Sequence, residues 1–290
     1  MRSKQKSEVT WQVASQKYDF QSGALVMGIL NVTPDSFSDG GRWSQADAAL
    51  RHATQLIEDG ADLIDVGGES TRPGSEPVSL EDELTRVIPV VKALVAQSPV
   101  PISVDTCKAE VARQALAEGA TIVNDISGLR DPAMVAVCAQ SDCGIVVMHM
   151  QGLPKTMQAA PEYNDVVLEV TDFFHERLET LTSAGIAAER LCWGPGIGFG
   201  KRVEDNIALL RATGELSVGA RPVMIGLSRK SFLAKILNET ALDSRNWPTV
   251  ALTAWTRELG GLVHRVHDVK PNREALRMIE AILSSKQRSQ

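Results

Sequence analysis

At 290 residues, 43% hydrophobic and 23% charged, the chain has the composition of a globular protein with a sizeable core. Its formal net charge of -6 excludes nucleic acid as the main partner, so any anion it binds must be held by a local cluster. No stretch approaches the roughly 18 apolar residues of a membrane span, and the basic start, MRSKQKSEVTWQV, leads into no apolar segment, so neither membrane span nor signal peptide is expected.

Residues 1–24 read as a polar lead-in, with the length for a hairpin that plugs one end of the fold. Next comes MGILNVTPDSFSDGG (27–41), an apolar run that stops at Asn31 and becomes a Gly-rich loop carrying Thr33, Asp35, Ser36, Ser38 and Asp39. A loop of that composition packs no core, so it builds a site. Helical spacing follows, with apolar positions 49, 50, 53, 56 and 57 and a stop at Gly60. The same grammar, a brief apolar run closing on polar residues, recurs at DLIDVGGES (62–70), PISVDT (101–106), TIVNDI (121–126), IVVMHM (145–150), RLCWGPG (190–196), PVMIGLSRK (222–230) and LVHRVHD (262–268). Helices are expected between them at 80–95, 108–119, 132–141, 165–185, 203–213, 231–260 and, last, 272–285. Four cysteines, Cys107, Cys138, Cys143 and Cys192, lack CxxC spacing and lie in or beside apolar runs, which reads as reduced thiols in a cytoplasmic protein.

Eight apolar runs alternating with helices imply an α/β protein with a parallel sheet buried on both faces. A doubly wound dinucleotide-binding sheet would carry GxGxxG after its first strand and an acidic residue about 20 positions on, and this chain has neither there. The expectation is a single (β/α)8 TIM barrel over 25–285, with an amino-terminal extension (1–24) and a polar tail (286–290). In such a barrel all strand ends meet at one mouth. That places Asn31, Asp65, Glu69, Ser70, Thr71, Arg72, Asp105, Asn124, Asp125, His149, Ser228, Arg229, Lys230, Arg265, His267 and Asp268 together.

Single residues read two ways. Asp105 serves equally as a helix N-cap, and Asn124-Asp125 equally as a turn pair. Arg265 and His267 are two apart on one strand, so both face one side and form a compact anion clamp. Lys230, after Ser228-Arg229, fits a site better than a surface. With no HExxH or paired His/Cys spacing, zinc is disfavoured; a hard divalent ion held through Asn, Asp and a substrate phosphate is the metal expected.

MGILNVTPDSFSDGG, DLIDVGGESTRPGS, ISVDTCK, NDISG, VVMHMQGLPKTMQ, GPGIGFGK, GLSRKSFL and RVHDV resemble, in order, the motifs of the dihydropteroate synthase family within the pterin-binding barrels. The resemblance implies a dimeric barrel that joins 6-hydroxymethyl-7,8-dihydropterin diphosphate to p-aminobenzoate with Mg²⁺ and releases pyrophosphate. It further implies a pterin pocket of Asp105, Asn124 and Lys230 with Met148 and Phe199 near the rings. Asn31, Arg265 and His267 would take the diphosphate, Asn31 also on the metal side, with Lys230, Arg265 and His267 as the catalytic set. Thr71, Arg72, Pro73 and Ser228 would hold the p-aminobenzoate. One departure stands out: the sixth barrel strand of the family ends in Asp-Pro-Gly, and here Gly194 takes the aspartate's place. Alternatives therefore stay open: a weakened or non-catalytic paralogue that binds a pterin or an anion, or a pterin-dependent methyltransferase. Trp247 and Trp255 add bulk where the family is small and apolar, which bears on helix packing or the dimer face.

Overall fold

The computed structural model describes residues 8–33, 42–70, 74–152 and 155–287. A short antiparallel hairpin, β1 (Trp11–Val13) and β2 (Gln16–Tyr18), precedes β3 (Leu25–Asn31). There follow α1 (Arg42–Glu58), β4 (Leu63–Gly67), α2 (Leu80–Val95), β5 (Ile102–Asp105), α3 (Ala109–Ala117), β6 (Ile122–Asp125), α4 (Pro132–Ala139) and β7 (Gly144–Met148). The chain completes with α5 (Val166–Ser183), β8 (Leu191–Gly194), α6 (Val203–Arg211), β9 (Met224–Ile225), α7 (Ser231–Leu237), α8 (Asn246–Glu258), β10 (Val263–Val266) and α9 (Val269–Gln287). Strands β3 to β10 form one parallel sheet in the order β8-β7-β6-β5-β4-β3-β10-β9. A bridge from Trp193 to Val223 joins its two ends, with the Trp193 N–H donating to the Pro222 carbonyl at 2.8 Å, and makes the sheet a barrel.

Alternation along each strand sorts side chains into two sets. Val26, Leu30, Ile64, Val66, Val104, Val123, Ile145, Val147 and Trp193 belong to the core shared with the helices. Met27, Leu63, Ile122, Val146, Cys192, Met224 and Val263 form a separate apolar layer inside the barrel. Further along the inward faces, towards the other end, lie Asn31, Asp65, Asp105, Asn124, Met148, Gly194, Gly226, Arg265 and His267. Apolar at one end and polar at the other, this interior is what turns scattered strand endings into one mouth.

The apolar end is stoppered by the hairpin. Trp11 and Val13 are buried in the inner layer, and the Trp11 indole donates to the Arg190 carbonyl at 2.9 Å. Trp11→Ala is expected to cost about 3–5 kcal/mol, read from urea unfolding; a loss under about 1 kcal/mol would show that the hairpin is not part of the core.

The expected helix over 231–260 is two helices. Asn238, at φ 54°, ends α7 in the left-handed conformation, and the chain re-enters helix at Asn246. All four cysteines are free thiols, Cys107 exposed and the other three buried. Among the described residues, no helix is long and apolar enough to cross a membrane.

Candidate active site

A cavity of about 420 Å³ opens at the polar end, lined by Asn31, Glu69, Ser70, Asp105, Ser228, Arg229, Lys230, Arg265 and His267, together with Leu242 and Arg245. A narrower lobe of about 30 Å³ adjoins it, lined by Asn124, Ile126, Met148, Gly194, Gly196 and Phe199 and sharing Asp105, Lys230 and Arg265. Of the residues expected from sequence, Asn31, Asp105, Asn124, Met148, Phe199, Ser228, Lys230, Arg265 and His267 all meet here. Thr71, Arg72 and Pro73, and most of the loop after Asn31, lie outside the described residues.

Arg265 is the electrostatic hub. Its Nε donates to Asp65 Oδ2 and its Nη2 to Asp105 Oδ2, both at 2.6 Å. Asp65, fully buried, also accepts from the Ser103 hydroxyl and from Asn124 Nδ2 at 3.0 Å. Burial works against the Arg265 cation, but these two carboxylates outweigh it and hold its pKa above the usual value. Burial pushes the Asp105 carboxyl up to about 7; Arg265 opposes the rise, while Asp65 and Glu83 add to it. Among the described residues Asn124 Oδ1 is buried without a hydrogen-bond partner, which makes it an acceptor available at the narrow lobe.

On the wide side, Ser228 Oγ accepts the His267 backbone N–H at 3.2 Å and lies 2.9 Å from its Nδ1, which orients the ring. Arg229 holds φ 58°, a conformation rare outside glycine, and sends its guanidinium to Asp268 and Asn246. That bend lets Ser228 and Lys230 both line the cavity. Lys230 Nζ sits 3.8 Å above the Phe199 ring, across the entrance to the narrow lobe.

Three residues expected at the mouth have other work. Asp125 accepts from the N–H groups of Ser127 and Leu129 and from the Ser127 hydroxyl, so of the pair 124–125 it is the turn residue. His149 faces Lys201, with Nδ1 3.0 Å from Nζ, and burial drives its pKa down to about 2. Asp268 is the counter-ion of Arg229. Strand parity explains two of them: Asp125 and His149 follow inward-facing Asn124 and Met148 and so point away.

Sequence reasoning missed Lys108, whose Nζ bridges Glu69 at the cavity wall and buried Glu83 on α2. It missed Lys201 and Arg245 as well. Lys108 and Lys201 end the motifs ISVDTCK and GPGIGFGK, which was the available signal; Arg245 had none.

The family model described as pterin binding enzyme matches residues 27–267. Dihydropteroate synthase of Escherichia coli (strain K12) is 47% identical over 262 residues, covering 90% of this chain and 93% of that protein. The solved structure of Burkholderia cenocepacia dihydropteroate synthase complexed with 7,8-dihydropteroate superposes with a TM-score of 0.87 at 41% identity, covering 97% of this chain and 98% of that one. Xanthomonas albilineans dihydropteroate synthase with 4-aminobenzoic acid gives 0.88 at 42% identity, covering 96% and 99%. A closed parallel barrel with a two-lobed polar mouth and likeness of this extent have one explanation: the chain belongs to the dihydropteroate synthases, within the pterin-binding enzymes.

Proposed function

We propose that this chain condenses 6-hydroxymethyl-7,8-dihydropterin diphosphate with p-aminobenzoate, giving 7,8-dihydropteroate and pyrophosphate in folate biosynthesis. The observation that carries the reading is the joined pair of lobes, one narrow and ring-lined, one wide and cationic. The pterin would enter between Met148 and Phe199, displacing Lys230 from the ring face, with Asp105 and Asn124 at its polar edge. Its diphosphate would meet Arg265, His267 and Asn31. The p-aminobenzoate would lie on the Ser228 side with Thr71, Arg72 and Pro73.

The chemistry asks for what these residues offer. The bond from the exocyclic methylene to diphosphate oxygen breaks, its electron pair leaves with pyrophosphate, and positive charge spreads into the electron-rich pterin. Arg265 and His267 neutralise the leaving group while Asp105 faces the developing cation. The aromatic amine is neutral at pH 7, forms the new C–N bond from its lone pair, and loses its proton; it mainly needs positioning.

Among the described residues there is no group of three or more His, Cys, Asp or Glu able to hold a metal, and Asp65 and Asp105 are engaged by Arg265. This donor set suits a Mg²⁺ ion bound chiefly by diphosphate oxygens and water, with Asn31 as the protein's share. Bound there, the ion supplies charge neutralisation to the leaving group. Exposed apolar side chains concentrate late in the chain, at Ile236, Leu237, Trp247, Trp255, Met278 and Ile282, which supports the homodimer reading, testable by sedimentation. Four free thiols support a cytoplasmic setting.

Gly194 favours the second reading, a weakened or non-catalytic paralogue. The assay that decides is p-aminobenzoate-dependent release of pyrophosphate. Turnover with Mg²⁺ that is abolished by a chelator is the expected result; binding of the pterin diphosphate without pyrophosphate release would sink the synthase reading.

A further inference from the structure

The segment 195–200, PGIGFG, forms the far wall of the narrow lobe, and it is an intrinsically loose piece of chain. Gly196, Gly198 and Gly200 take φ values of 67°, 79° and 58°. Gly196 presses so closely on the end of β7 that a Cβ there would lie 1.9 Å from the His149 carbonyl oxygen. Three glycines in six residues carry a large entropic cost of ordering, so the turn has to be held from outside.

Lys201, only 3% exposed, does much of the holding. Its Nζ donates to the Phe199 carbonyl at 3.0 Å and to the His149 carbonyl at 3.4 Å, and it lies 3.0 Å from His149 Nδ1. His149 is in turn anchored to β8, its N–H donating to the Gly194 carbonyl at 2.8 Å. Other ties reach the glycines: Asn206 Oδ1 accepts from the Gly198 N–H, Gln158 donates to the Gly198 carbonyl and Tyr163 to the Gly200 carbonyl. Lys201 is the one that grips the backbone of Phe199, the ring that lines the lobe and lies under Lys230.

An ammonium is a costly group to bury for this purpose. The neighbouring carboxylate, Asp205, is committed to Arg202 at 3.0 Å, and burial pushes the Lys201 amine down to about 7. An apolar side chain of similar volume would be cheaper for folding. What only the amine supplies is a three-way tie between β7 and the turn. Lys201 lines neither lobe, so it acts at one remove.

We propose that Lys201 is a positioning residue that locks the 195–200 turn to the end of β7 and thereby sets the Phe199 ring for the pterin. The inference deepens the synthase reading and, for its kinetic part, rests on it. The test compares native chain with Lys201→Met. Expected are a rise of about tenfold in KM for the pterin diphosphate, with KM for p-aminobenzoate and kcat within about twofold, since an ångström of misplacement at a ring slot is felt by the substrate that fills it. Hydrogen exchange should quicken in peptides covering 195–201 while the barrel strands stay protected. Lys201→Gln, which keeps an N–H donor, should recover part of both and carries the test should the methionine variant not fold.

Equal losses for both substrates, or exchange that quickens throughout the barrel, would mean general structural support and overturn the proposal. Unchanged exchange at 195–201 would overturn it too. A native chain that releases no pyrophosphate would remove the synthase reading by itself, and exchange in the turn would still decide whether Lys201 is its lock.

Discussion

Gly194→Asp is expected to lower KM for the pterin diphosphate by about ten- to a hundredfold, the worth of one charge-assisted hydrogen bond of about 1.5–3 kcal/mol. The inward face of β8 ends at this glycine, beside Met148 and Gly196 in the narrow lobe. A carboxylate there would meet the donor edge of the pterin, adding a third acceptor to Asp105 and the Asn124 Oδ1 in the same lobe. The space is tight: a Cβ at Gly194 would lie 3.1 Å from Met148 Cγ and 3.3 Å from Met148 Cα and Cβ, so β7 and β8 must part by a few tenths of an ångström at this point. The unbranched Met148 thioether can yield at Cγ, and Gly194 is not among the residues at positive φ, so the backbone itself accepts a side chain there. Gly194→Asn fills the same space without the charge and should gain far less. If the native chain turns over well and the aspartate brings no gain, the ring edge is already satisfied, with Asn124 the first group to test. An inert native chain awakened by the aspartate would establish the paralogue reading.

The second large effect is expected at Arg265. Arg265→Met leaves Asp65 and Asp105 buried without their shared counter-ion, which should destabilise the fold by about 3–5 kcal/mol at pH 8. The deficit should depend on pH in a definite direction. In the native fold the Asp105 pKa is raised from 3.8 to about 7, so the fold prefers the protonated carboxyl. The stability tied to that proton is full below the unfolded carboxylate range and is lost as pH rises through the folded value. Removing Arg265 takes away the principal group opposing the rise. The variant's deficit therefore widens towards pH 8 and shrinks towards pH 5. Urea midpoints at the two pH values measure this, and a deficit of equal size at both would show that Asp105 is not its source. Catalysis should fall by at least about a hundredfold in kcat, the scale of losing one donor aimed at developing charge. Arg265→Lys restores the charge but not the two-pronged fork, so it should recover less than half of the stability.

Much of this was legible in the sequence, because the information was local. Eight apolar runs with polar endings specify strands whose last residues meet if the sheet closes, and period-two alternation places Arg265 and His267 on one side. The same alternation says that Asn124 and Asp125 face opposite ways. It does not say which faces in, and the structure puts Asn124 at the narrow lobe and Asp125 in a turn. Strand endings therefore point to one mouth but do not separate its lining from its scaffold, where the structure places His149 and Asp268.

What only the tertiary structure decided involves residues far apart in the chain. Arg265 reaches Asp65 and Asp105 across 200 and 160 positions, and no local pattern names that partnership. It exists because β10 and β4 both pair with β3 and β5 pairs with β4, so the inward faces of β10, β4 and β5 converge at the polar end of the barrel. The plug by Trp11, the grip of Lys201 on the 195–200 turn and the break at Asn238 arise in the same way. By itself the sequence determined which residues are strand, helix and site-bearing ending, since backbone preference and burial are set by near neighbours. Closure of the sheet decided which charges compensate each other, because pairing energies depend on distances that only the assembled barrel defines.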